Sequence, residues 1–312
     1  GDTSHRDTAA STAYNDTTGD MSVLVNYGEV SGNSDGTFTD IGTDLASTTY
    51  YYAASSTNPV MSLPSREFVA DQSGSTVKDT KWYYDGLSLG SVSFGNQNKQ
   101  EYLISGTRYA STTRTFNAYG NVATSTDAKG NATGFVYDGY NLYPNTITNA
   151  LNQQRLISYD YSSGKPATTT DENNQTVALV FDVLDRPIVE KQPDFITPST
   201  LVTKTSYAYT DATTTPSSVF RREYLSSATS SDSYVYVDGL GRTIQSKKEA
   251  EATNGWITKD TLYNTIGTVG SESLPYFNAS SAYSTPTATP ALYVTNTYDA
   301  LGRVLTVANA VG

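Results

Sequence analysis

The stretch FNAYGNVATSTDAKGNATGFVY, residues 116–137, contains two chain-reversal signals separated by a short run of strand-forming residues. The first signal starts at Asn117 and the second at Asp127, and glycine follows three residues later in each, at Gly120 and Gly130. An Asn or Asp side chain can hydrogen-bond the backbone two residues on, and glycine tolerates the positive φ that closes such a turn. Thr, Val and aromatic residues between turns favour strands. The stretch therefore predicts a pair of antiparallel strands.

The same pattern recurs along the chain at a nearly constant spacing. An aromatic residue begins the copies at Phe116, Tyr137, Tyr159 and Phe181, which lie 21, 22 and 22 residues apart. A lone hairpin is marginally stable in water, so successive hairpins must stack edge to edge. We therefore predict an all-β fold of antiparallel β-hairpin repeats that form a curled or spiral sheet, as a solenoid or a shell. The second turn signal lies midway in each interval, at residues 126–131, 148–153 and 170–175.

Three copies place an arginine four residues after the turn aspartate, and the cleanest of them is YDALGR at residues 298–303. Across a tight turn the two side chains can meet, and a surface ion pair of this kind contributes about 0–1 kcal/mol. We interpret the pair as a structural clamp on the turn, with a binding role as the alternative. The predicted structural turn residues are Asp182, Arg186, Asp238, Gly241, Arg242, Asp299, Gly302 and Arg303.

Composition excludes several classes of chemistry. The chain has no cysteine, so disulfides and Cys-based metal sites are excluded, and its single histidine, His5, lies in a polar Ser/Thr-rich segment. A single histidine in such a segment does not provide for a histidine metal cluster or a Ser-His-Asp triad. We therefore predict no catalytic residue, no cofactor and no metal. A net charge of -11 predicts no nucleic-acid partner. No apolar run approaches the length of a membrane span, which predicts no membrane insertion.

Regularity divides the chain into two predicted regions. Residues 1–80 form an irregular, β-rich N-terminal region with strand candidates at 23–27 and 49–52. We expect the first twenty residues to stay disordered until something pairs with them. Residues 81–312 form the hairpin-repeat region, in which we expect Ser/Thr/Pro-rich inserts to be longer loops between strands. These inserts lie at 194–205 and 276–290.

The repeat resembles the Rhs/YD-repeat family, on the strength of YDALGR at 298–303, its looser copies and the segment KWYYDGLSLG at 81–90. That family includes bacterial Rhs proteins, the B and C components of Tc insecticidal toxins, SpvB-like proteins and teneurins. The resemblance implies a β-strip that spirals into a hollow shell, which holds a cargo polypeptide or, in teneurins, serves adhesion.

The resemblance and the composition together predict a non-catalytic, extracellular structural scaffold that is secreted or displayed at the cell surface. Its expected partners are proteins, either a cargo polypeptide enclosed or displayed by the shell, or further copies and segments of the same shell. Two alternatives stay open. One is a self-assembling filament or sheath subunit whose open sheet edges pair between chains. The other is an adhesin that binds a cell-surface glycan by stacking tyrosines on sugars, although we expect the tyrosines to line the inner face of the sheet.

An enzyme is the least favoured alternative. The triplet Glu249-Ala250-Glu251 matches the two-glutamate motif of ADP-ribosyltransferases, which some SpvB-like proteins carry. The upstream arginine and the Ser-Thr-Ser strand of that site are not recognisable in this sequence. We therefore expect the two glutamates, which follow Lys247 and Lys248, to belong to a solvated turn.

Overall fold

A computed structural model describes residues 7–33, 35–55, 63–213, 216–251, 255–286 and 292–309. Within these residues the chain forms 24 β-strands and no helix, and every pairing between named strands is antiparallel. The predicted all-β class and the antiparallel hairpin architecture are confirmed. The strands fall into two compact units, residues 1–155 and 156–312, and the division lies within one strand.

Where the structure describes it, the first unit contains eleven complete strands. In chain order they are β1 Asp7–Tyr14, β2 Met21–Gly32, β3 Phe38–Asp40, β4 Ala46–Tyr52, β5 Pro64–Asp71, β6 Thr76–Tyr84, β7 Gln97–Ser105, β8 Arg108–Phe116, β9 Val122–Thr126, β10 Ala132–Tyr137 and β11 Pro144–Thr148.

Strand β12, Gln154–Asp160, crosses the division, and twelve more strands follow in the second unit. They are β13 Lys165–Thr170, β14 Thr176–Phe181, β15 Pro187–Pro193, β16 Leu201–Thr210, β17 Ser217–Tyr224, β18 Ser230–Val237, β19 Thr243–Glu249, β20 Trp256–Tyr263, β21 Val269–Ser273, β22 Tyr276–Asn278, β23 Tyr293–Tyr298 and β24 Val304–Ala308.

Sequence neighbours pair with each other through most of each unit. In the first unit β4 to β11 form an unbroken succession of hairpins. In the second unit β12 to β21 do the same, while β20 also pairs with β22, and β21 pairs with β23. Turns therefore alternate between the two ends of the strands, so that every second turn lies at the same end.

Most hairpins that begin with the aromatic repeat residue carry a register shift at that residue. The shift falls at Phe116 in β8, at Phe181 in β14 and at Tyr298 in β23. An extra residue in a left-handed conformation at the end of a type I turn produces this bulge, and it adds twist to the strands.

The N-terminal segment differs from its prediction. The first twenty residues were expected to stay disordered until something pairs with them, and within them Asp7–Tyr14 pair along their length with β2 of the same chain, from Asp7 opposite Val30 to Tyr14 opposite Met21. A turn between Asn15 and Asp20 supplies the reversal. The polar Ser/Thr composition obscured this strand because β1 is exposed on nearly its whole surface.

Apolar burial is sparse in the described residues. A small core consists of Ala53, Tyr84 and Val92, with Leu63 and Trp82 packed against it. In the described part of the chain, ten buried polar residues outnumber six buried apolar ones, and two of the polar residues, Asp79 and Asp260, each lie at the centre of a polar network, one in each unit. Strand ladders and buried polar contacts therefore provide much of the specific packing in this fold.

Candidate functional site

The turn from Asp238 to Arg242 shows how the repeat closes a hairpin. The Asp238 N–H donates to the Arg242 carbonyl at 3.0 Å, and the Gly241 N–H donates to the Asp238 carbonyl at 3.0 Å. One carboxylate oxygen, Oδ1 of Asp238, accepts the N–H groups of Leu240 and Arg242, both at 2.9 Å. Gly241 has φ +76°, in the left-handed region. An acceptor at the first position and a tolerant residue at the fourth are therefore the two requirements of the turn.

The same turn recurs with either carboxylate or amide at the first position. Asp182 and Asp299 bond their turn amides as Asp238 does, and Asn117, Asn149 and Asn264 use the amide oxygen instead. The interchange follows because both side chains present an oxygen at the same distance from the backbone. Positive φ occurs at the fourth position of each, namely Gly120, Asn152, Asp185, Gly241, Gly267 and Gly302.

The three arginines predicted as clamps contact their aspartates. Nε donates to Oδ2 at 2.8 Å in Arg186–Asp182, at 2.8 Å in Arg242–Asp238 and at 2.6 Å in Arg303–Asp299. Hydrogen bonds lower the pKa of all three aspartates. For Asp182 and Asp299 the largest cause is the backbone N–H of the turn arginine, and for Asp238 it is the Arg242 guanidinium. All three pairs are open to water, so their Coulombic contribution is small.

Two of these arginines also connect one turn to the next turn at the same end of the strands. The Arg186 guanidinium lies 4.3 Å from the ring centroid of Tyr209, and its Nη1 contacts both carboxylate oxygens of Asp211 at 2.9 Å. Arg242 lies 4.3 Å from the ring of Tyr263. Stacking of a cation on an aromatic face is attractive, so the clamp also links neighbouring hairpins.

Six tyrosines that lie at the end of a strand, or one residue before it, have a specific partner that sequence reasoning missed. Each hydroxyl donates to the carbonyl of the first residue of the paired strand that precedes it in the chain. This bond accounts for the use of tyrosine, since phenylalanine lacks the donor, and the excess of 25 Tyr over 9 Phe was the available signal. The bonds are Tyr52–Met21 at 2.9 Å, Tyr84–Pro64 at 2.7 Å, Tyr137–Val122 at 3.1 Å, Tyr209–Pro187 at 2.9 Å, Tyr263–Thr243 at 3.1 Å and Tyr298–Val269 at 2.8 Å.

A buried polar array lies on one face of β19 and β20 in the second unit. Gln245 pairs across the strands with Asp260, and Lys247 pairs with Thr258, so the four side chains form two adjacent rows. All four are at most 1% exposed. We call these four residues the polar array, and we call residues 279–286, which cover it, the strap. The insert at 276–290 was predicted to be a loop, and its described part is strand β22 followed by this strap.

Asp260 is the acceptor at the centre of the polar array. Its Oδ1 accepts from Gln245 Nε2 at 2.6 Å, and its Oδ2 accepts from the hydroxyls of Tyr276 and Tyr293 at 3.0 and 3.1 Å. Burial, together with this carboxylate, raises the pKa of Tyr276 and of Tyr293 to about 12. The carboxylate is therefore satisfied by three donors within the fold, as a buried charge requires.

The strap is held chiefly by its main chain. Lys247 Nζ donates to the Ser280 carbonyl at 2.9 Å, and the Tyr236 hydroxyl donates to the Ser281 carbonyl at 2.6 Å. Gln245 Nε2 donates to the Ser284 carbonyl at 2.8 Å, while its Oε1 accepts the Ser284 N–H at 3.1 Å. Burial lowers the pKa of Lys247, and the charge of Asp260 opposes that effect.

The first unit has a comparable buried aspartate. Asp79 in β6 accepts from Arg66 Nε at 2.8 Å and Nη2 at 2.9 Å, and from the Tyr109 hydroxyl at 2.5 Å, while Lys81 Nζ lies 3.7 Å away. Burial raises the pKa of Asp79, but these hydrogen bonds outweigh it and hold the pKa below its usual value. This network is saturated with donors and links three strands.

Other chemistry considered from sequence finds little support in the geometry. Glu249 accepts the Asp232 N–H at 3.0 Å beside a shallow groove of about 700 Å³ that also reaches Glu251. His5 lies outside the described residues. Among the residues described, no group of three or more His, Asp or Glu side chains is arranged to hold a metal ion. No helix in that part of the chain has the length and apolar character needed to cross a membrane.

Comparison with known proteins gives a match in fold. No family model matches the chain, and no curated protein matches it in sequence. The crystal structure of TcdB2-TccC3 has a TM-score of 0.73 and 14% identity over 98% of this chain, and the crystal structure of TcdB2-TccC3-Cdc42 has a TM-score of 0.72 and 13% identity over 98%. The chain spans 22% and 24% of the matched chains. The arrangement of strands is thus similar to part of those larger chains.

Proposed function

We propose that this chain is a non-catalytic structural scaffold, a strip of hairpin repeats that forms part of an extracellular shell enclosing or displaying a cargo polypeptide. The similarity of its fold to TcdB2-TccC3, over 98% of this chain, supports the scaffold proposal. The proposed partners are proteins, and the proposed location is secreted or at the cell surface.

The observation that carries this proposal is the linkage between successive hairpins. Strand-end tyrosines bond the preceding strand at six places, and Arg186 and Arg242 bridge from one turn to the aromatic residue of the next. Several successive hairpins are thereby attached to their neighbours by the same few contacts, which lets a strip lengthen by repetition without a large apolar core. Such a structure provides an extended surface, and its repeated residues stabilise the fold.

Retention of an unfolded polypeptide tests the scaffold proposal. The probe is a reduced and alkylated polypeptide of near-zero net charge, so that attraction to the acidic chain does not explain binding. We expect the 312-residue chain to retain the probe in size-exclusion chromatography and to slow its digestion by protease. A folded globular protein of similar negative charge is the control. Digestion of the probe at its free rate, with no co-elution, would overturn the proposal.

A second candidate, self-assembly through hairpin tips, is favoured by one specific observation. The third turn position in the second unit carries an apolar side chain that is 64–79% exposed in each of four hairpins at the same end of the strands. A row of exposed apolar groups is typical of an interaction surface. The four residues are Leu184, Leu240, Ile266 and Leu301.

Sedimentation velocity and negative-stain microscopy test the assembly candidate. We expect concentration-dependent oligomers or fibres that are weakened by Leu240→Ser with Leu301→Ser. The matched control is Leu225→Ser, which changes a leucine that is 65% exposed at the other end of the strands. A chain that stays monomeric at every concentration, or one that responds equally to the control, would exclude tip-mediated assembly.

A further inference from the structure

The strap and the polar array form a contact of unusual chemistry in the second unit. We propose that the polar array, together with Tyr236, is a binding site for the main chain of an extended polypeptide, and that the strap is its resident occupant. The inference rests on the proposed scaffold function and deepens it, because it names a surface that holds polypeptide and the chemistry by which that surface does so.

Gln245 provides the central contact. Its side-chain amide donates to the carbonyl of Ser284 and accepts from the N–H of the same residue, at 2.8 and 3.1 Å. Both groups exist in every residue except proline, which lacks the N–H. The contact thus copies the paired bonds by which one strand holds another, and it recognises backbone without regard to side chain.

Two further donors bind main-chain carbonyls of the strap. Lys247 reaches the carbonyl of Ser280, and Tyr236 reaches the carbonyl of Ser281. The array and Tyr236 thus contact main-chain atoms at three residues spread over five positions. A segment of any sequence that adopts the same path, and whose side chains are small, can make these bonds.

Side-chain contacts define the preferred occupant more narrowly. The Tyr283 ring packs on Tyr236 with centroids 5.7 Å apart, while the other strap residues near the array are Ala and Ser. Ser284 Oγ lies 3.3 Å from Gln245 Nε2 and 3.4 Å from Lys247 Nζ, and it accepts from Asn278 Nδ2 at 3.2 Å. The fitting partner is therefore an extended polypeptide with small residues and an aromatic residue.

The strap leaves part of the array's hydrogen-bonding capacity unused. Lys247 has three N–H donors, and the described residues supply two acceptors, the second at 3.4 Å. Thr258 Oγ1 is buried and has no hydrogen-bond partner among the described residues. Buried polar groups are normally hydrogen-bonded. A second polypeptide that supplied hydrogen bonds to these groups would therefore compete with the strap for this face.

Removal of the strap tests the proposal directly. In a variant that lacks residues 280–284, the array is exposed, and the fluorescently labelled peptide NASSAYSTP, residues 278–286, serves as the probe. A second probe has the same composition in permuted order, with Tyr and Pro retained at their positions. We expect the variant to bind both peptides with Kd values within about threefold, and the full chain to bind each at least about tenfold more weakly, because its own strap competes.

Substitution at Gln245 distinguishes recognition of the peptide main chain from nonspecific binding. In the strap-deleted chain, Gln245→Ala is expected to weaken both peptides about tenfold, because two hydrogen bonds are lost. Gln192→Ala, a glutamine on β15 outside the array, is the matched control and is expected to leave binding unchanged. Binding of the native peptide alone, or binding that is insensitive to Gln245→Ala, would overturn the proposal.

A second measurement applies if the strap-deleted chain does not fold. In the full chain, excess unfolded polypeptide is expected to increase hydrogen exchange of the strap amides at Ala282 and Ser284, because it displaces them. Unchanged exchange would overturn the proposal. Failure here is distinguishable from failure of the scaffold function: a chain that retains unfolded polypeptide but ignores Gln245→Ala keeps the scaffold proposal and loses this site.

Discussion

The turn from Asp238 to Arg242 contains two glycines that differ in backbone conformation, and this difference allows a controlled test of the repeat's design. Gly241 occupies the left-handed region at φ +76°, whereas Gly239 lies outside it. A Cβ added at either position would meet no heavy atom within 4 Å. The effect of alanine at each glycine is therefore set by the backbone, with no steric clash to separate from it.

The expected magnitudes follow from these two conformations. Alanine in the left-handed region costs about 1–2 kcal/mol, whereas alanine at a compatible glycine stabilises by about 0.4–1 kcal/mol through the unfolded chain. The unfolded-state contribution is the same in Gly241→Ala and Gly239→Ala, so it cancels between them. Their free energies of unfolding should therefore differ by about 1–2 kcal/mol, with Gly241→Ala the less stable.

Thermal unfolding followed by circular dichroism is the assay. For a unit of this size about 1 kcal/mol corresponds to about 2–4 °C, so the two variants should melt about 2–8 °C apart. Hydrogen exchange at Leu240 and Arg242 locates the change, and both amides should exchange faster in Gly241→Ala. Equal melting temperatures, or a less stable Gly239→Ala, would refute the claim that the fourth turn position requires a left-handed residue.

Three further predictions concern the side chains. Tyr209→Phe removes a hydroxyl donor and should lower the free energy of unfolding by about 0.5–1.5 kcal/mol in urea titrations, while Tyr119→Phe, at a ring that is 72% exposed, should not change it. Asp238→Asn keeps an acceptor for the turn amides and should lower the melting temperature less than Asp238→Ala, a difference that should persist in high salt. Tyr276 and Tyr293 have a folded pKa of about 12 against 10.0 in the unfolded chain. Their contribution to the free energy of unfolding is therefore complete below pH 10 and is lost as pH rises towards 12. Thermal melts at alkaline pH, followed together with phenolate absorbance, will show this loss.

Each of these predictions has an outcome that contradicts it. Equal stability of the Tyr209 variant and the parent chain would show that the strand-end hydroxyl makes no net contribution. A difference between Asp238→Asn and Asp238→Ala that vanishes in high salt would assign the turn to the ion pair instead of the amide bonds. Stability that stays constant between pH 10 and 12 would mean that the buried phenols ionise as in the unfolded chain.

The order of strands and turns was readable from sequence because the turn is a local structure. An oxygen-bearing side chain at the first position and a tolerant residue at the fourth lie within five residues of each other, as in the turn at Asn117. Spacing then specified where strands begin, and antiparallel pairing of neighbours followed. The all-β class and the antiparallel hairpins were accessible in this way.

Contacts between hairpins were not accessible, since they depend on register and on chain separation. The stack of Arg186 on Tyr209 joins residues 23 positions apart, and the bond from Gln245 to Ser284 spans 39 positions. Local sequence around Ser284 is indistinguishable from that of a solvated loop. Only the tertiary structure places it over the polar array.

What the sequence by itself determined is the alternation of strand and turn, because each turn is stabilised by hydrogen bonds among adjacent residues. What only the tertiary structure decided is which polar groups are buried, as Lys247 and Asp260 show. Burial of a charge is tolerated where donors and acceptors converge from distant segments, and that convergence depends on the path of the strap and the pairing of β19 with β20.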